Sequence, residues 1–174
     1  MFDDDKFNIY DNFLSKDELS RIEKYFEQPI WQFGHSSTNS DKFPQQWFVA
    51  SLNHLHVFTK ILKERIENLV GSKYSLLRVY ANGQTIMNGG SWHQDADNSE
   101  HFTALLYISD INKHNVDQIH GHTEFKTENE HVISIEPLKN RLVVFDSSIF
   151  HRGNAPNVPG FLRISIAWKL KKIS

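Results

Sequence analysis

Two stretches of this 174-residue chain carry side chains that could do chemistry together. The first, SWHQDADN, places His93 and Asp95 two residues apart, just after Gly89 and Gly90. In extended backbone, residues two apart project to one face, which is what two ligands of one ion require. Spacing alone decides little, because a chain with ten histidines yields a His-x-Asp triplet by chance roughly once in every two such sequences. A third ligand must come from elsewhere. His151 is the best placed, since it directly follows the strand-like run RLVVFDSS. Two imidazoles and a carboxylate leave three positions of an octahedral ion open. Non-haem Fe(II) oxygenases use this facial arrangement, and zinc is its chemical neighbour. The second stretch, FLRISIAW, separates the two. Arg163 and Ser165 share one face of a strand, and a guanidinium beside a hydroxyl forms a clamp for a carboxylate. A hydrolytic zinc site has no general need of such a clamp. An oxygenase that binds a dicarboxylic keto acid does.

These residues need elements to position them. Before Gly71 the hydrophobic period is helical. Ser15-x-x-Glu18 is a capping-box pattern, Leu19, Ile22 and Phe26 recur at three-to-four spacing, and Pro29 closes the segment. A second helix over 54–71 aligns Leu55, Phe58, Leu62, Ile66 and Leu69, with Gly71 as its C-cap. After Gly71 the period shortens. Strands are expected at 75–80, 103–109, 121–125, 132–135, 141–145 and 162–169. Short strands with no helix between them indicate an antiparallel sandwich or barrel, with the two helices packed outside. The expectation is one domain over 1–174: a helical N-terminal part, 1–71, and a β core, 72–174, that carries the site. Loops 81–92 and 110–120 should ring one end and, with 35–46, set specificity.

Composition removes several classes of function. There is no cysteine, so disulfides and thiolate metal sites are excluded. A net charge of −2 provides no strong field toward nucleic acid or anionic lipid. MFDDDKFNIY has no apolar core and reads as no signal peptide. No run of eighteen apolar residues exists to span a membrane. A cytoplasmic location is expected.

At this point a resemblance becomes specific. His93-x-Asp95, His151 and Arg163-x-Ser165 resemble the signature of the 2-oxoglutarate- and Fe(II)-dependent dioxygenases, whose fold is a double-stranded β-helix, or jelly roll. The surroundings are most similar to the prolyl 4-hydroxylase-like branch, in LLRVYANG, TALLYISD, GHTEF and IEPLKNRLVVFDSSIFHRG. The similarity covers about residues 74–170. It implies a mainly β fold with flanking helices, and iron held by His93, Asp95 and His151. Arg163 pairs with the distal carboxylate of 2-oxoglutarate. Thr103 and Tyr107 face inward on the neighbouring strand, and the Tyr107 phenol bonds that same carboxylate. Tyr80 lines the co-substrate pocket, and Ser165 lies beside Arg163. The implied cofactors are Fe(II), 2-oxoglutarate and O2, with ascorbate as a candidate reductant. The implied reaction hydroxylates a protein side chain or a small metabolite and releases succinate and CO2. Asp95 favours hydroxylation over halogenation, because related halogenases replace this carboxylate with a small residue. One departure from the pattern is His120-Gly121-His122 where the branch has Gly-Gly-Glu, so only the second glycine survives. The other is a short loop between Asp95 and Thr103.

Other features have plainer readings. His54 and His56 lie in a helical pattern, where residues two apart diverge. His120 and His122 decorate a turn or line the pocket. Asp97 and the acidic run 3–5 are solvated, Trp47 and Phe48 belong to the core, and Trp92 lines a channel or packs. Two rival functions remain. A nucleic-acid demethylase of the same fold typically carries a second arginine six residues after the clamp arginine, where this chain has Lys169, and its net charge is slightly negative. A non-catalytic binding jelly roll would not need both triad and clamp. The chain is a monomer or a homodimer.

Overall fold

The computed structural model describes residues 7–37, 44–127, 129 and 131–173; the acidic run 3–5 and positions 38–43 of the 35–46 loop lie outside them. Two antiparallel sheets face each other. The larger contains β1 (Phe7–Tyr10), β2 (Gln32–His35), β3 (Trp47–Ser51), β4 (Tyr74–Gln84), β5 (His101–Tyr107), β8 (Leu142–Asp146) and β10 (Arg163–Lys172), in the order β1-β8-β5-β10-β4-β3-β2. The smaller is β7 (Val132–Ile135), β6 (Thr123–Lys126) and β9 (His151–Gly153), in the order β7-β6-β9. Leu105, Val143, Phe145 and Ala167 of the large sheet pack against Phe125 and Ile135 of the small one. This is the jelly roll that the resemblance implies.

Strand alternation sorts the side chains. On β5 and β10, Thr103, Leu105, Arg163, Ser165 and Ala167 look into the space between the sheets. Their neighbours Ala104, Leu106, Ile166 and Trp168 face the other way. There they join Ile22 and Phe26 of α1 (Lys16–Phe26) and Leu62 and Ile66 of α2 (Leu62–Val70), the outside helices. The start of α1 is the capping box read from the sequence: Glu18 N–H donates to Ser15 Oγ at 3.3 Å, and Ser15 N–H donates to Glu18 Oε2 at 2.9 Å. α2 ends at Gly71, whose φ of 74° suits glycine. A π-helical turn (Val57–Ile61) precedes α2, and the Phe58 carbonyl accepts the buried Trp168 indole N–H at 2.8 Å.

The expectations need three corrections. The N-terminal part is not only helical, since β1, β2 and β3 extend both edges of the large sheet. Strands of four and five residues are too short for their alternation to stand out. Second, the 81–92 loop begins late, because β4 runs on to Gln84. Asn82 and Gly83 look like turn residues, yet each has a packing reason to be in a strand. Asn82 Oδ1 accepts the Trp47 indole at 2.8 Å, and a Cβ on Gly83 would meet Trp31 at 3.0 Å. Third, the 110–120 loop holds a short helix, α3 (Val116–Ile119), whose Val116 and Ile119 pack on Ile111 and Leu138. Among the described residues, no helix is long and apolar enough to cross a membrane.

One buried polar residue ties the N-terminal chain to the core. Asn140 has φ 65°, in the left-handed region. Its Oδ1 accepts the Leu14 N–H and its Nδ2 donates to the Leu14 carbonyl, both at 2.8 Å. Its own N–H donates to the carbonyl of Tyr107 at 2.8 Å. Asn140→Ala strands two polar groups of a buried residue, at about 1–3 kcal/mol each. The thermal midpoint should fall by roughly 5–15 °C. An unchanged midpoint in the alanine variant would refute this account.

Candidate metal centre

The two histidines of the triad meet through backbone first. His93 N–H donates to the His151 carbonyl at 3.0 Å, and His151 N–H to the His93 carbonyl at 2.9 Å. This isolated bridge docks the loop after Gly90 onto β9 and brings the ring centroids to 4.4 Å. Asp95 is seated by its own N–H, which donates to the Ser147 carbonyl at 2.9 Å. His93 Nε2 lies 3.6 Å from Asp95 Oδ1, and His151 Nε2 lies 3.4 Å from Asp95 Oδ2. One ligand atom from each of the three lies within 4.8 Å of the others, and among the described residues this is the one group of at least three side chains so arranged. Two atoms each about 2.1 Å from one ion, at right angles, would be about 3 Å apart. The spacing fits a single ion after a small contraction.

The supporting contacts fit as well. Each imidazole Nδ1 lies 2.9 Å from a backbone carbonyl, that of Ser91 for His93 and that of Ile149 for His151. An N–H donated there leaves the Nε2 lone pair free for a metal. Thr103 Oγ1 donates to Asp95 Oδ2 at 2.6 Å, and Lys169 Nζ forms an ion pair with the same oxygen. Oδ2 is thus engaged, and Oδ1 is the oxygen left for an ion. Burial alone would raise the Asp95 carboxyl; Lys169, His151 and His93 outweigh it and hold it well below the ordinary carboxylate range. Burial, with Phe125 and Phe145 packed on the ring, lowers His151 from the ordinary 6.5 despite the pull of Asp95. Ligand binding needs the neutral ring. In the metal-free protein the folded state therefore binds fewer protons than the unfolded one just below pH 6.5, so stability falls as pH drops through that window. Metal occupancy should fall in the same direction. Thermal melts with and without metal between about pH 8 and 5 check both; a stability that rose on acidification would contradict the assignment.

Across the cavity lies Arg163, 2% exposed. Its Nε donates to the Gly121 carbonyl at 2.5 Å, one terminal nitrogen to Gln84 Oε1 at 2.7 Å, and the other to Thr123 Oγ1 at 3.0 Å. Ser165 Oγ stands 3.4 Å from the guanidinium. Every one of these partners is neutral. Burial lowers the Arg163 pKa from its usual value, but an arginine stays charged throughout the neutral range. Gly121 is the glycine that survives in His120-Gly121-His122, and the reason is spatial. Its φ is 84°, and a Cβ there would meet Arg163 Cδ at 3.0 Å. His120 occupies the absent glycine's place with φ 59° and ψ −139°, an unusual conformation for a side-chain-bearing residue.

The other expected residues are distributed as follows. Tyr80 lines the cavity on β4. Thr103 does too, but it serves Asp95 rather than the clamp. Tyr107 is not among the lining side chains. It lies behind Arg163, with the guanidinium carbon 5.4 Å from its ring centroid. Burial pushes its phenol up, and the protonated hydroxyl donates to Thr123 Oγ1 at 2.7 Å. Trp92 is held between Lys126 and Arg152 at 5.0 and 4.6 Å, away from the lining. His120 and His122 have ring centroids 6.2 Å apart, and among the described residues no third ligand joins them.

Gln84, Thr123, Lys169 and His35 were not anticipated as part of the site. Alternation from Arg163 and Ser165 points to Lys169. Gln84 falls where a loop is expected. The cavity encloses about 380 Å³ between triad and clamp, and His35 and Trp47 of the N-terminal part help to line it.

The 2OG-Fe(II) oxygenase superfamily model matches residues 77–168, more than half of the chain and the stretch that holds all these ligands. No curated protein matches the sequence. Several solved structures share the fold. A prolyl hydroxylase from Trichoplax adhaerens, in complex with a hypoxia inducible factor oxygen degradation domain peptide fragment, superposes with TM-score 0.76 at 16% identity, over 97% of this chain and 84% of that one. A Pseudomonas putida prolyl-4-hydroxylase gives 0.66 at 15% identity, over 95% and 92%. HygX from Streptomyces hygroscopicus, with nickel, 2-oxoglutarate and hygromycin B bound, gives 0.70 at 13% identity, over 95% and 82%. The chain belongs to the 2-oxoglutarate- and Fe(II)-dependent oxygenase superfamily.

Proposed function

We propose that this dioxygenase is a hydroxylase, and that its prime substrate is a protein side chain or a small metabolite. The observation that carries the reading is the fully buried guanidinium of Arg163, which has only neutral partners and looks across one cavity at the His93–Asp95–His151 cluster. A buried charge without a counter-ion is costly, and a bound carboxylate supplies one. When bound, Fe(II) activates dioxygen with 2-oxoglutarate as reductant, releasing succinate and CO2 and delivering the second oxygen atom to a substrate C–H bond.

The residues have separate tasks. His93, Asp95 and His151 would hold the ion at the cavity wall. Arg163 takes the distal carboxylate of the keto acid, and its fork is pre-set by Gln84 and Thr123. Tyr107 supports the clamp from behind through Thr123 instead of touching the co-substrate. Leu105, Phe145 and Ala167 supply apolar wall that excludes water. The related structures hold a peptide fragment in one case and hygromycin B in another, so proteins of this fold bind ligands of both kinds, which supports keeping both substrate classes. The test is to load the protein with Fe(II) anaerobically, add 2-oxoglutarate, record the weak visible charge-transfer band, then admit oxygen and measure succinate. A protein that shows neither band nor succinate is not such an enzyme.

A further inference from the structure

The cavity floor between β4 and β10 is a row of facing pairs: Arg163 opposite Gln84, Ser165 opposite Asn82, Ala167 opposite Tyr80, and Lys169 opposite Arg78. All eight side chains line the cavity. One end of the row is the clamp. The other end, beside the metal ligands, carries a second guanidinium. Resting on the oxygenase reading above, we infer that the prime substrate bears an oxyanion, a carboxylate or a phosphate, which docks on Arg78 at the metal end of the cavity.

Charge pairing carries the argument. Arg65, Arg141 and Arg152 each pair with a carboxylate, Glu18, Asp11 and Glu124 respectively. The two arginines that line the cavity, the buried Arg163 and the exposed Arg78, have no acidic partner among the described residues, and neither has the exposed Arg21 on α1, away from the cavity. For Arg163 the keto acid supplies one. For Arg78 nothing described does, because Asp95 is the one carboxylate among the described lining residues and Lys169 already pairs with it. The two charges of the ion and the one of Arg163 balance Asp95 and the two carboxylates of the keto acid. Counted with Lys169 and Arg78, the loaded site carries a net positive charge among the described lining residues.

Arg78 is also oriented for the task. Its guanidinium carbon lies 5.3 Å from the centroid of Tyr80, a cation–π contact that holds the head against the cavity wall, and a guanidinium can meet an oxyanion in bidentate fashion. His35, the next polar group in this corner, does not compete for the anion by charge. Burial first, then Arg78, Lys169 and His93, lower its pKa and favour the neutral ring. Tyr80 separates the two anion poles of the cavity. A substrate held by its acidic group at Arg78 would present the neighbouring carbon skeleton toward the triad.

The test uses the anaerobic Fe(II)–2-oxoglutarate protein and its visible band. Acetate, methyl phosphate and neutral acetamide are titrated at constant ionic strength. The expected result is a saturable change of the band with at least one of the anions, none with acetamide, and the tighter anion identifies carboxylate or phosphate as the substrate's acidic group. Arg78→Gln should raise the half-saturating anion concentration by about tenfold or more, with Arg78→Lys between, while half-saturation by 2-oxoglutarate moves less than about twofold. An absent response to both anions overturns the inference. So does an equal response in Arg78→Gln, which would place the anion on the metal, and so does simple competition with 2-oxoglutarate, which would place it on Arg163. Failure to form the band at all would instead overturn the oxygenase reading.

Discussion

His151→Ala should abolish the charge-transfer band and succinate formation together, because it removes a metal ligand and leaves the clamp intact. Loss of a supporting partner to a metal ligand typically costs 10–100-fold in metal affinity, and loss of the ligand itself should exceed about 100-fold. Asp95→Ala should be equally inactive but is a less clean experiment. Asp95 is the counter-ion of Lys169, which is itself 7% exposed. Removing it leaves a buried ammonium unpaired, at about 3–5 kcal/mol. Instability and metal loss would then arrive together. His151→Ala strands no charge, so its melting midpoint without metal should move far less than that of Asp95→Ala. Adding Lys169→Met to Asp95→Ala should restore much of the midpoint without restoring turnover. Metal titration followed by calorimetry, alongside the succinate assay, reads both quantities. If His151→Ala bound metal and made succinate at the parent rate, the centre would be assigned wrongly.

The parts of this site that were legible in the chain are those where chemistry restricts residue type. An ion that takes two imidazoles and a carboxylate, and a diacid that takes a guanidinium, leave recognisable spacings in His93-x-Asp95 and Arg163-x-Ser165. The capping box at Ser15 and the C-cap at Gly71 were legible for the same reason, since backbone geometry permits few alternatives. What stayed hidden depended on contacts between distant segments. Gln84 reads as a loop residue until Asn82 is seen to bind Trp47 and Gly83 to make room for Trp31. The N-terminal strands β1 to β3 exist because a sheet is there to receive them, and local propensity gives no hint of that. The resemblance puts Tyr107 at the ligand, on the inward face it shares with Thr103. Alternation gives the face of a strand but not the depth, and Thr123 fills the space between phenol and cavity.

Arg163→Ala should separate co-substrate binding from metal binding. The lost partner of a buried carboxylate costs about 2–5 kcal/mol, equivalent to roughly a thirtyfold to a few-thousandfold rise in the 2-oxoglutarate concentration required. The metal ligands do not touch Arg163, so affinity for the ion without keto acid should change little. Two features of the structure sharpen this expectation. The guanidinium uses three directions on Gly121, Gln84 and Thr123, so its position is fixed before any ligand arrives, and little ordering remains to be done on binding. Arg163→Lys keeps the charge but cannot fill all three contacts, so it should fall between parent and alanine variant. Thr123→Val tests the same device from the other side. It removes the hydroxyl that accepts from both Tyr107 and Arg163 and should weaken keto-acid binding without affecting the metal. A 2-oxoglutarate requirement unchanged in Arg163→Ala would mean that the diacid binds elsewhere, and the buried charge would then need another counter-ion.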